Sequence, residues 1–592
     1  MKRGYPSLGA LPYQGAVSFR LWAPVARHVD VVVESGEGGH PMSAAGQGFF
    51  EAVVPGIAPG ARYRYRVDNG PSYPDPASRF QPDGVHGPSM VIDPARYVWH
   101  DGGWRGRAQE DLVFYELHVG TFTPEGTFAG VRSRLPYLKD LGVTAVELMP
   151  VAEFPGRWNW GYDGAALFAP SRAYGSPDDL RSLIDEAHRL ELAVFLDVVY
   201  NHFGPDGAYA VALSPYFFSK SHTTPWGPGI NLDGEMADAV RGFFIENALY
   251  WLTEYHFDGL RLDAIHSLAD DSPVHFLQEL ADAVHALDGP PRYVIAEDHR
   301  NLNTVILPRQ DGGYGLDAAW NDDYHHQLRR LLAHDTDGYF LDFTDSTADL
   351  AAIVQRGWLY TGQHARYFGA RRGTDPSGIP LIRFVDFIQN HDQVGNRPTG
   401  ERITGTISLE AFRAASALLL FAPQLPLLFM GQEWAAGTPF CFFTDHHPDL
   451  GRRVSEGRRR EFQRFAGFRG EVPDPQDPST FSRSRLDWSE LESDPHAGIF
   501  RLYQDLLRQR REWKGALVVT HPAEGSLILR RGRHALIVAL RADLTLPMPR
   551  GGVPILHTEA PRYASDPHPP QILAGTIFMR RPAAVLVTVP DA

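Results

Sequence analysis

The chain has 592 residues, 43% hydrophobic and 21% charged, which is typical of an ordinary folded protein of about two to four domains. Its formal net charge of −15 repels nucleic-acid phosphates and anionic lipid headgroups. We therefore expect no nucleic-acid partner and no membrane partner, and a neutral substrate is favoured.

The only cysteine is Cys441, which excludes an intrachain disulfide and favours a reducing compartment. Residues 1–6 lack the apolar segment of a signal peptide, and no run in the sequence approaches the length of a membrane span. These features predict a cytoplasmic protein.

Residues 1–95 are predicted to form a small β-sandwich. The runs 17–22, 29–33 and 62–67 alternate in polarity or are β-branched, and clusters of Gly, Pro and Asp separate them. Short strands at this spacing are typical of a sandwich. Residues 96–109 are expected to link this domain to the next one.

From residue 110 to 512, short apolar runs alternate with amphipathic helices, which predicts a (β/α)8 TIM barrel. Continuous apolar runs are typical of parallel strands that are buried on both faces. The predicted strands are 112–118, 143–149, 193–200, 258–263, 292–297, 315–320, 382–388 and 424–430. Ser176 and Pro177 mark a helix start. The Pro- and Gly-rich excursion 203–236 is expected to be an irregular loop that serves the active site.

Short β runs return in residues 513–592, for example 527–530, 535–540 and 584–588, and predict a C-terminal β-sandwich. The expected fold class is therefore α/β, with a TIM barrel between two β-sandwich domains.

Four predicted barrel strands end in acidic or amide-rich tips, at residues 197–202, 263, 297 and 388–392. The carboxyl ends of barrel strands meet at one mouth, where active sites lie. Carboxylates, an arginine and histidines at such a mouth indicate glycosidic-bond chemistry. This chemistry needs one carboxylate below the anomeric carbon and one protonated carboxyl above the leaving oxygen.

Asp263 is the predicted nucleophile, because Arg261 shares its strand face and a nearby guanidinium favours the ionised carboxylate. Glu297 is the predicted general acid, because the apolar run before it would desolvate it and raise its pKa. Taken singly, each residue has another interpretation. Asp263 and Arg261 also fit a structural pair that closes a strand, and Glu297 fits a strand-end glutamate that meets water.

Asp392 is predicted to stabilise the oxocarbenium-like transition state, although its segment also fits the start of a polar loop. Asp197 is interpreted as the buried partner of Arg261, and His202 as a donor to a sugar hydroxyl. Tyr162 is a candidate to stack on a sugar ring, with Asp163 as an acceptor behind it. The Trp-Gly-Tyr sequence that contains Tyr162 is also common in packed cores.

Other catalytic motifs are absent from the sequence: it has no Walker loop, no Gly-x-Ser-x-Gly elbow, no His-Glu-x-x-His and no cysteine cluster. No cofactor is expected.

The four tips resemble, in order, spacing and strand context, the four short sequence regions of the α-amylase superfamily. The resemblance implies a retaining mechanism with Asp263 as nucleophile, Glu297 as acid/base and Asp392 as transition-state stabiliser. It also implies a set of substrate-binding residues around them, which we predict to be Tyr162, Asp163, His202, Arg261, Asn390, His391 and Gln393. The stretch 19–24 resembles the sandwich that precedes the barrel in glycogen-branching and debranching relatives.

Within the superfamily, the segments 85–89, 389–397, 430–434, 438–440 and 443–446 resemble those of enzymes that act on maltooligosyltrehalose. Such enzymes cut the α-1,4 bond next to the terminal trehalose unit and release trehalose. The resemblance implies a role in trehalose biosynthesis, beside a synthase that forms maltooligosyltrehalose and not necessarily in a complex with it. Trp and acidic residues of 203–236 and 430–446 are candidates to hold the trehalose half.

Three positions differ from the common α-amylase pattern or bear on its metal site. Many α-amylases carry Lys-His three and four residues after the nucleophile, where this chain has His266 and Ser267. This difference indicates another acceptor-side pocket, with His266 as a predicted substrate contact. Asn201 matches an asparagine of the α-amylase calcium site, but no cluster of further oxygen ligands accompanies it, so no metal is expected.

Two alternatives remain open at this point. The tips also fit a branching or debranching enzyme that acts on α-1,6 linkages, because specificity resides in loops. A non-catalytic glycan-binding protein on the same barrel is a second alternative, which the presence of all three carboxylates disfavours.

Overall fold

The computed structural model describes residues 7–34, 38–462, 472–573 and 575–590. The prediction that residues 1–6 hold no signal peptide lies outside the described residues.

Two antiparallel sheets form the N-terminal region, and the three predicted strands are confirmed. The strands are β1 (Gly9–Tyr13), β2 (Ala16–Trp22), β3 (Val29–Val33), β4 (Gly39–Pro41), β5 (Ser43–Gly46), β6 (Phe49–Pro55), β7 (Arg62–Val67), β8 (Ser72–Tyr73) and β9 (Ser89–Met90). One sheet has the order β1-β2-β6-β5, and the other has the order β4-β3-β7-β8 with β9 beside β7. Alternate side chains such as Val17, Phe19, Tyr63 and Tyr65 are buried, as expected for two facing sheets.

The middle of the chain contains a closed parallel barrel. The strands of this region are β10 (Phe114–Leu117), β11 (Ala145–Leu148), β12 (Ala152–Glu153), β13 (Ala166–Pro170), β14 (Ala193–Val198), β15 (Phe218–Thr224), β16 (Gly227–Ile230), β17 (Gly259–Leu262), β18 (Tyr293–Ala296), β19 (Ala318–Trp320), β20 (His364–Ala365), β21 (Ala370–Arg371), β22 (Phe384–Phe387) and β23 (Leu425–Phe429). The barrel order is β10-β11-β14-β17-β18-β19-β22-β23. All eight predicted barrel strands are therefore confirmed. Each strand is shorter than the apolar run that predicted it, because the polar residues at its carboxyl end lie beyond the last residue paired with a neighbouring strand.

Helices lie between the barrel strands and continue to the C-terminal sheets. They are α1 (Val119–Phe122), α2 (Phe128–Leu141), α3 (Pro177–Arg189), α4 (Ala210–Leu213), α5 (Ala237–Glu254), α6 (Phe276–His285), α7 (Asn303–Ile306), α8 (Asp322–Ala333), α9 (Thr347–Arg356), α10 (His391–Gly395), α11 (Leu409–Phe421), α12 (Pro448–Phe462), α13 (Pro478–Ser482) and α14 (His496–Arg510). The predicted start of α3 is confirmed. Ser176 accepts the Asp179 N–H, the Asp179 carboxylate accepts the Ser176 N–H, and Pro177 occupies the first turn.

The excursion 203–236 is more regular than predicted. It contains the hairpin of β15 and β16, whose turn carries Trp226 and ends at Gly227 with φ +122°. A positive φ at this position suits glycine, and threonines in β15 favour an extended strand. The prediction of an irregular loop is therefore wrong over the hairpin.

The C-terminal region again consists of antiparallel sheets. Its strands are β24 (Leu517–Thr520), β25 (Ser526–Arg531), β26 (His534–Ala539), β27 (Leu544–Pro547), β28 (Val553–His557), β29 (Gln571–Leu573), β30 (Thr576–Met579) and β31 (Ala583–Thr588). The sheet orders are β24-β25-β26-β31-β28 and β27-β30-β29. Arg413 of α11 donates to the Thr558 carbonyl and pairs with the buried Glu559, which fastens these sheets to the barrel helices. The fold class predicted from the sequence is confirmed.

Among the described residues, no helix combines the length and the apolar character needed to cross a lipid bilayer.

Candidate active site

The predicted catalytic residues stand at the carboxyl ends of three barrel strands, two of which are neighbours. Asp263 follows β17, Glu297 follows β18, and Asp392 lies in the first turn of α10, after β22. The parallel ladder continues into the tips: the Asp263 N–H donates to Val198 O at 3.0 Å, and the Glu297 N–H donates to Leu262 O at 3.0 Å. The backbone therefore fixes both carboxylates at one mouth.

Arg261 is the charged centre of this mouth. Its Nη1 lies 2.7 and 2.8 Å from the two oxygens of Asp197 and 2.9 Å from Asp263 Oδ1, while its Nη2 lies 2.9 Å from Glu297 Oε2. The guanidinium stands 4.2 Å from the centre of the Trp320 ring. Arg261 is completely buried, so it acts on a ligand through the carboxylates and not by direct contact.

Asp263 is held in its ionised form. Burial by itself raises the pKa of a carboxyl, but Arg261 and the Asn201 side chain, which donates to Asp263 Oδ2 at 2.8 Å, bring the pKa of Asp263 below its usual range. An ionised carboxylate at this position can attack an anomeric carbon.

Glu297 has the opposite environment. Burial raises its pKa well above the ordinary value, and the neighbouring charges of Asp263 and Asp392 raise it further, while Arg261 opposes this shift. Its Oε2 accepts the Ala264 N–H at 2.7 Å, which orients the carboxyl. Two adjacent carboxyls whose pKa values are pushed apart can divide the roles of acid and nucleophile between them.

A cavity of about 1070 Å³ opens over these groups. The predicted residues that line it are Tyr162, Asp163, His202, Asp263, His266, Glu297, His391, Asp392 and Gln393. Four other predicted residues, Asp197, Asn201, Arg261 and Asn390, are not part of its lining and are buried behind it. Asn390 was predicted as a substrate contact. The structure instead places it as the N-cap of α10, where its Oδ1 accepts the Gln393 N–H at 2.9 Å.

His202 also differs from the sequence-based expectation. Its Nε2 lies 2.9 Å from the Tyr162 carbonyl oxygen, and its Nδ1 contacts Asn201 Oδ1. Both ring nitrogens therefore have protein partners, and the predicted donation to a sugar hydroxyl does not fit this arrangement. The ring instead supports Trp226, which stacks on it with centroids 5.2 Å apart and an interplanar angle of 11°. Trp226 remains 52% exposed at the cavity edge.

Tyr162 is fixed from two sides. Its hydroxyl lies 2.6 Å from Asp197 Oδ2 and 2.7 Å from His391 Nε2, and the His391 ring stacks on the Tyr162 ring at 5.2 Å. One ring face is thus occupied, so a sugar can stack only on the other. Behind it, Asp163 accepts a hydrogen bond from the Asn159 amide at 2.6 Å.

One wall of the cavity is built from two histidines and an aromatic ring. The His266 and His299 rings meet at 4.3 Å, and Phe368 stacks on His299 at 5.3 Å. Burial, with His266 close by, lowers the pKa of His299 to about 4, so this ring is neutral near pH 7. The Arg372 guanidinium, which also lines the cavity, lies 5.3 Å from the centre of the Phe368 ring. Phe368 is 41% exposed and offers an apolar face to a sugar.

Sequence reasoning missed Asp322 and His326, which share one face of α8 and line the cavity. Burial raises the pKa of Asp322 to about 7. Asp322 follows β19 at its second residue, so the rule used for the other tips could have found it. Of the tryptophans named as candidates, Trp226 lines the cavity, whereas Trp434 is buried and donates to Glu490 at 3.1 Å.

The residues around Asn201 do not fit a calcium site. Its amide nitrogen donates to the Asp263 side chain and carbonyl, both at 2.8 Å, and its oxygen contacts His202. Within the described ranges, the side chains close enough to share a metal ion are His222, Asp233 and Asp271. His222 Nε2 already lies 2.8 Å from Asp233, which accounts for that group as a hydrogen-bonded pair.

Comparison with known proteins identifies two family models in the chain. Residues 7–91 match carbohydrate-binding module 48, the isoamylase N-terminal domain, and residues 74–215 match the alpha amylase catalytic domain. A crystal structure of a Salmonella typhimurium protein assigned as an alpha amylase superposes with a TM-score of 0.89 and 40% identity, over 98% of this chain and 99% of that one.

Two relatives have a still higher sequence identity to this chain. The malto-oligosyltrehalose trehalohydrolase of Deinococcus radiodurans is 48% identical over 85% of this chain and 83% of its own length. The malto-oligosyltrehalose trehalohydrolase of Arthrobacter ramosus is 43% identical over 93% of this chain and 97% of its own length. With the barrel and the carboxylates at its mouth, these matches establish the chain as a glycosidase that acts on an oligosaccharide, and it belongs to the malto-oligosyltrehalose trehalohydrolase family of the α-amylase superfamily.

Proposed function

We propose that this protein hydrolyses the α-1,4-glucosidic bond next to the terminal trehalose unit of maltooligosyltrehalose, with retention of configuration, and releases trehalose. The observation that carries the proposal is the shared contact of Asp263 and Glu297 with one guanidinium. Each carboxylate lies 2.9 Å from a different terminal nitrogen of Arg261. This arrangement favours the separation of about 5–5.5 Å of a retaining pair over the ~6.5–9.5 Å of an inverting pair.

The proposed reaction has two steps. Glu297 gives its proton to the glycosidic oxygen while an Asp263 oxygen attacks the anomeric carbon, so that the bond to the leaving sugar breaks and a glycosyl-enzyme forms. Glu297, now ionised, then takes a proton from water, which displaces Asp263 and restores both carboxyls. Asp392 faces the same cavity, and its negative charge stabilises the positive charge that develops on the sugar ring.

The choice of trehalose as leaving group is supported by the names of the relatives and by the histidine and aromatic wall of the cavity. His266 and Ser267 occupy the positions that hold Lys-His in many α-amylases, and His266 lies against His299 and Phe368. The aromatic rings of this wall suit the apolar face of a sugar ring.

The substrate would be the product of another enzyme, one that forms a trehalose unit at the end of a glucan. We expect that enzyme and this one to act in sequence without needing to form a complex. The net charge of −15 argues against nucleic-acid and anionic-membrane partners, and the single cysteine supports a cytoplasmic location.

Product analysis tests the proposal. The purified chain is incubated separately with maltooligosyltrehalose, with maltooligosaccharides of equal length and with amylopectin, and the sugars are separated by chromatography. We expect free trehalose from the first substrate, released at least about tenfold faster than glucose or maltose from the second, which corresponds to roughly 1.4 kcal/mol in the transition state. NMR of the newly formed anomeric centre should show the α form first.

A branching or debranching activity gives another outcome. In that case amylopectin would be shortened or rearranged at its α-1,6 branch points, and maltooligosyltrehalose would yield no trehalose. Absence of turnover on all three substrates would indicate a protein that binds glycans without cleaving them.

A further inference from the structure

A chain of hydrogen bonds leads from the first barrel strand to the buried arginine Arg261. Glu116 of β10 lies with Oε1 2.5 Å from His391 Nδ1, and its Oε2 accepts the His391 main-chain N–H at 2.9 Å. His391 Nε2 lies 2.7 Å from the Tyr162 hydroxyl, which lies 2.6 Å from Asp197. Asp197 contacts Arg261, so the chain ends at the group that holds Asp263 and Glu297. Glu116 was not among the residues predicted from the sequence.

The protons in this chain of hydrogen bonds can be assigned by counting donors. The Tyr162 hydroxyl has one proton, and its shorter contact is with the Asp197 carboxylate, which has no proton to give while it is paired with Arg261. The tyrosine oxygen must then accept from His391 Nε2. The other ring nitrogen, Nδ1, faces Glu116 Oε1, while Oε2 accepts the His391 main-chain N–H. A carboxylate can only accept, so Nδ1 must carry a proton as well. The imidazole therefore carries a proton on each nitrogen and is positively charged.

Burial explains why Glu116 is needed. Glu116 and His391 are both almost completely inaccessible to solvent, and an isolated charge at such a site would be neutralised. Burial lowers the pKa of His391, but the carboxylates of Asp392 and Glu116 overcome this effect and raise it to about 9. The ionisable groups that surround the ring are Glu116, His118, Glu147, Tyr162, Asp197, Arg261 and Asp392.

We propose that Glu116 is a positioning residue of this enzyme: its carboxylate holds His391 as an imidazolium, which fixes the Tyr162 hydroxyl and stands beside Asp392 at the cavity. His391 Nε2 lies 3.5 Å from Asp392 Oδ2. The imidazolium thus places a hydrogen-bonding cation beside the carboxylate that faces the developing positive charge. Glu116 touches no substrate. The inference rests on the proposed glycosidase mechanism and not on the identity of the leaving sugar.

The protein offers a matched control residue, Glu147. This residue lies directly opposite Glu116 in the register of β10 and β11 and is equally buried. Among the described residues, neither of its carboxyl oxygens has a hydrogen-bond partner, and burial raises its pKa well above the ordinary value. This shift favours the protonated, neutral carboxyl, so Glu147→Gln is a close match to it in shape and charge.

The test compares Glu116→Gln, Glu147→Gln and the unchanged protein in kcat and KM for maltooligosyltrehalose from pH 4 to 9, a range that spans the titration of histidine. In Glu116→Gln the imidazole loses its counterion, so its positive charge is no longer held beside Asp392. We expect kcat to fall at least about tenfold at pH 7 and to recover partly as the pH falls through about 6. KM should change less than about threefold, since Glu116 does not meet the sugar. Glu147→Gln should keep the parent pH profile.

An equal loss of kcat at every pH, or no loss in a folded Glu116→Gln protein, would overturn the inference. If Glu116→Gln does not fold, Glu116→Asp decides: it retains the negative charge and should retain the shape of the parent pH profile, and a displaced profile would refute the role. Failure of the proposed function has a separate signature, because then the unchanged protein releases no trehalose. The same variants would in that case be compared on whichever α-glucan is cleaved.

Discussion

Asp197 and Arg261 are register neighbours on β14 and β17, and both carboxylate oxygens of Asp197 lie within 2.8 Å of one guanidinium nitrogen. The pair is fully buried, and burial raises the pKa of Asp197 to about 6. The ion pair is therefore not a simple source of stability, because removing two charges from water costs about as much as their attraction returns. Its role is to hold Arg261 where Asp263 and Glu297 both reach it.

Replacing Asp197 with Asn should leave the buried guanidinium short of one counterion. We expect a loss of unfolding free energy of about 3 kcal/mol, at the lower end of the range for broken buried pairs because Asp263 and Glu297 remain beside Arg261. Denaturant unfolding followed by circular dichroism measures this loss. Asp445→Asn, which breaks the exposed contact of Asp445 with Arg157, is the control and should cost less than about 1 kcal/mol. Equal losses in the two variants would contradict the role given to Arg261.

Asp263→Asn and Glu297→Gln should both abolish most of the activity, but in different ways. Loss of the nucleophile removes the first step for every substrate. Loss of the general acid should cost about 10²–10⁴-fold on natural glucans and much less on an aryl glucoside, whose leaving group needs no proton. Steady-state kinetics on both substrates measures the difference. An Asp263→Asn enzyme with near-normal turnover would remove the assignment of the nucleophile.

The dependence of kcat/KM on pH should show a broad plateau. Asp263 must be ionised, and Arg261 holds its pKa below the usual range, so the acidic limb lies below the ordinary aspartate value. Glu297 must be protonated, and burial holds its pKa well above the ordinary value, so the alkaline limb lies far above that of a free glutamate.

Asp392→Asn tests the coupling between these groups. The charge of Asp392 raises the pKa of Glu297, so its removal should move the alkaline limb of the residual activity to lower pH. The measurement is the kcat/KM profile of the variant, with Asp445→Asn as a control that leaves the limb in place. A shift to higher pH would show that Asp392 does not act on Glu297 electrostatically.

The start of α3 offers a test of local structure. Ser176→Ala removes the cap of the Asp179 N–H and should lower the unfolding free energy by about 1 kcal/mol without changing kcat. Ser176→Thr should restore most of this stability, because a threonine hydroxyl can also accept the Asp179 N–H and donate to the Asp179 carboxylate. Thermal unfolding of the three proteins checks the order; a fully stable Ser176→Ala protein would speak against the cap.

The sequence was sufficient for the barrel and for the placement of the three carboxylates predicted to be catalytic. Parallel strands buried on both faces require continuous apolar runs, and such runs are visible without any structure. Because the carboxyl ends of the strands share one mouth, Asp263, Glu297 and Asp392 could be brought together from their positions alone. The same rule applied to β19 would have included Asp322.

Only the tertiary structure decided which polar groups are free to meet a sugar. Asn390 caps α10, both nitrogens of His202 are taken by protein partners, and Arg261 is covered by the carboxylates it orients. Glu116 and His391 are 275 residues apart in the chain, and no local pattern records their contact. The physical reason is that strand formation depends on short-range polarity, whereas the partner of a buried polar group depends on which distant strands the closed barrel places side by side.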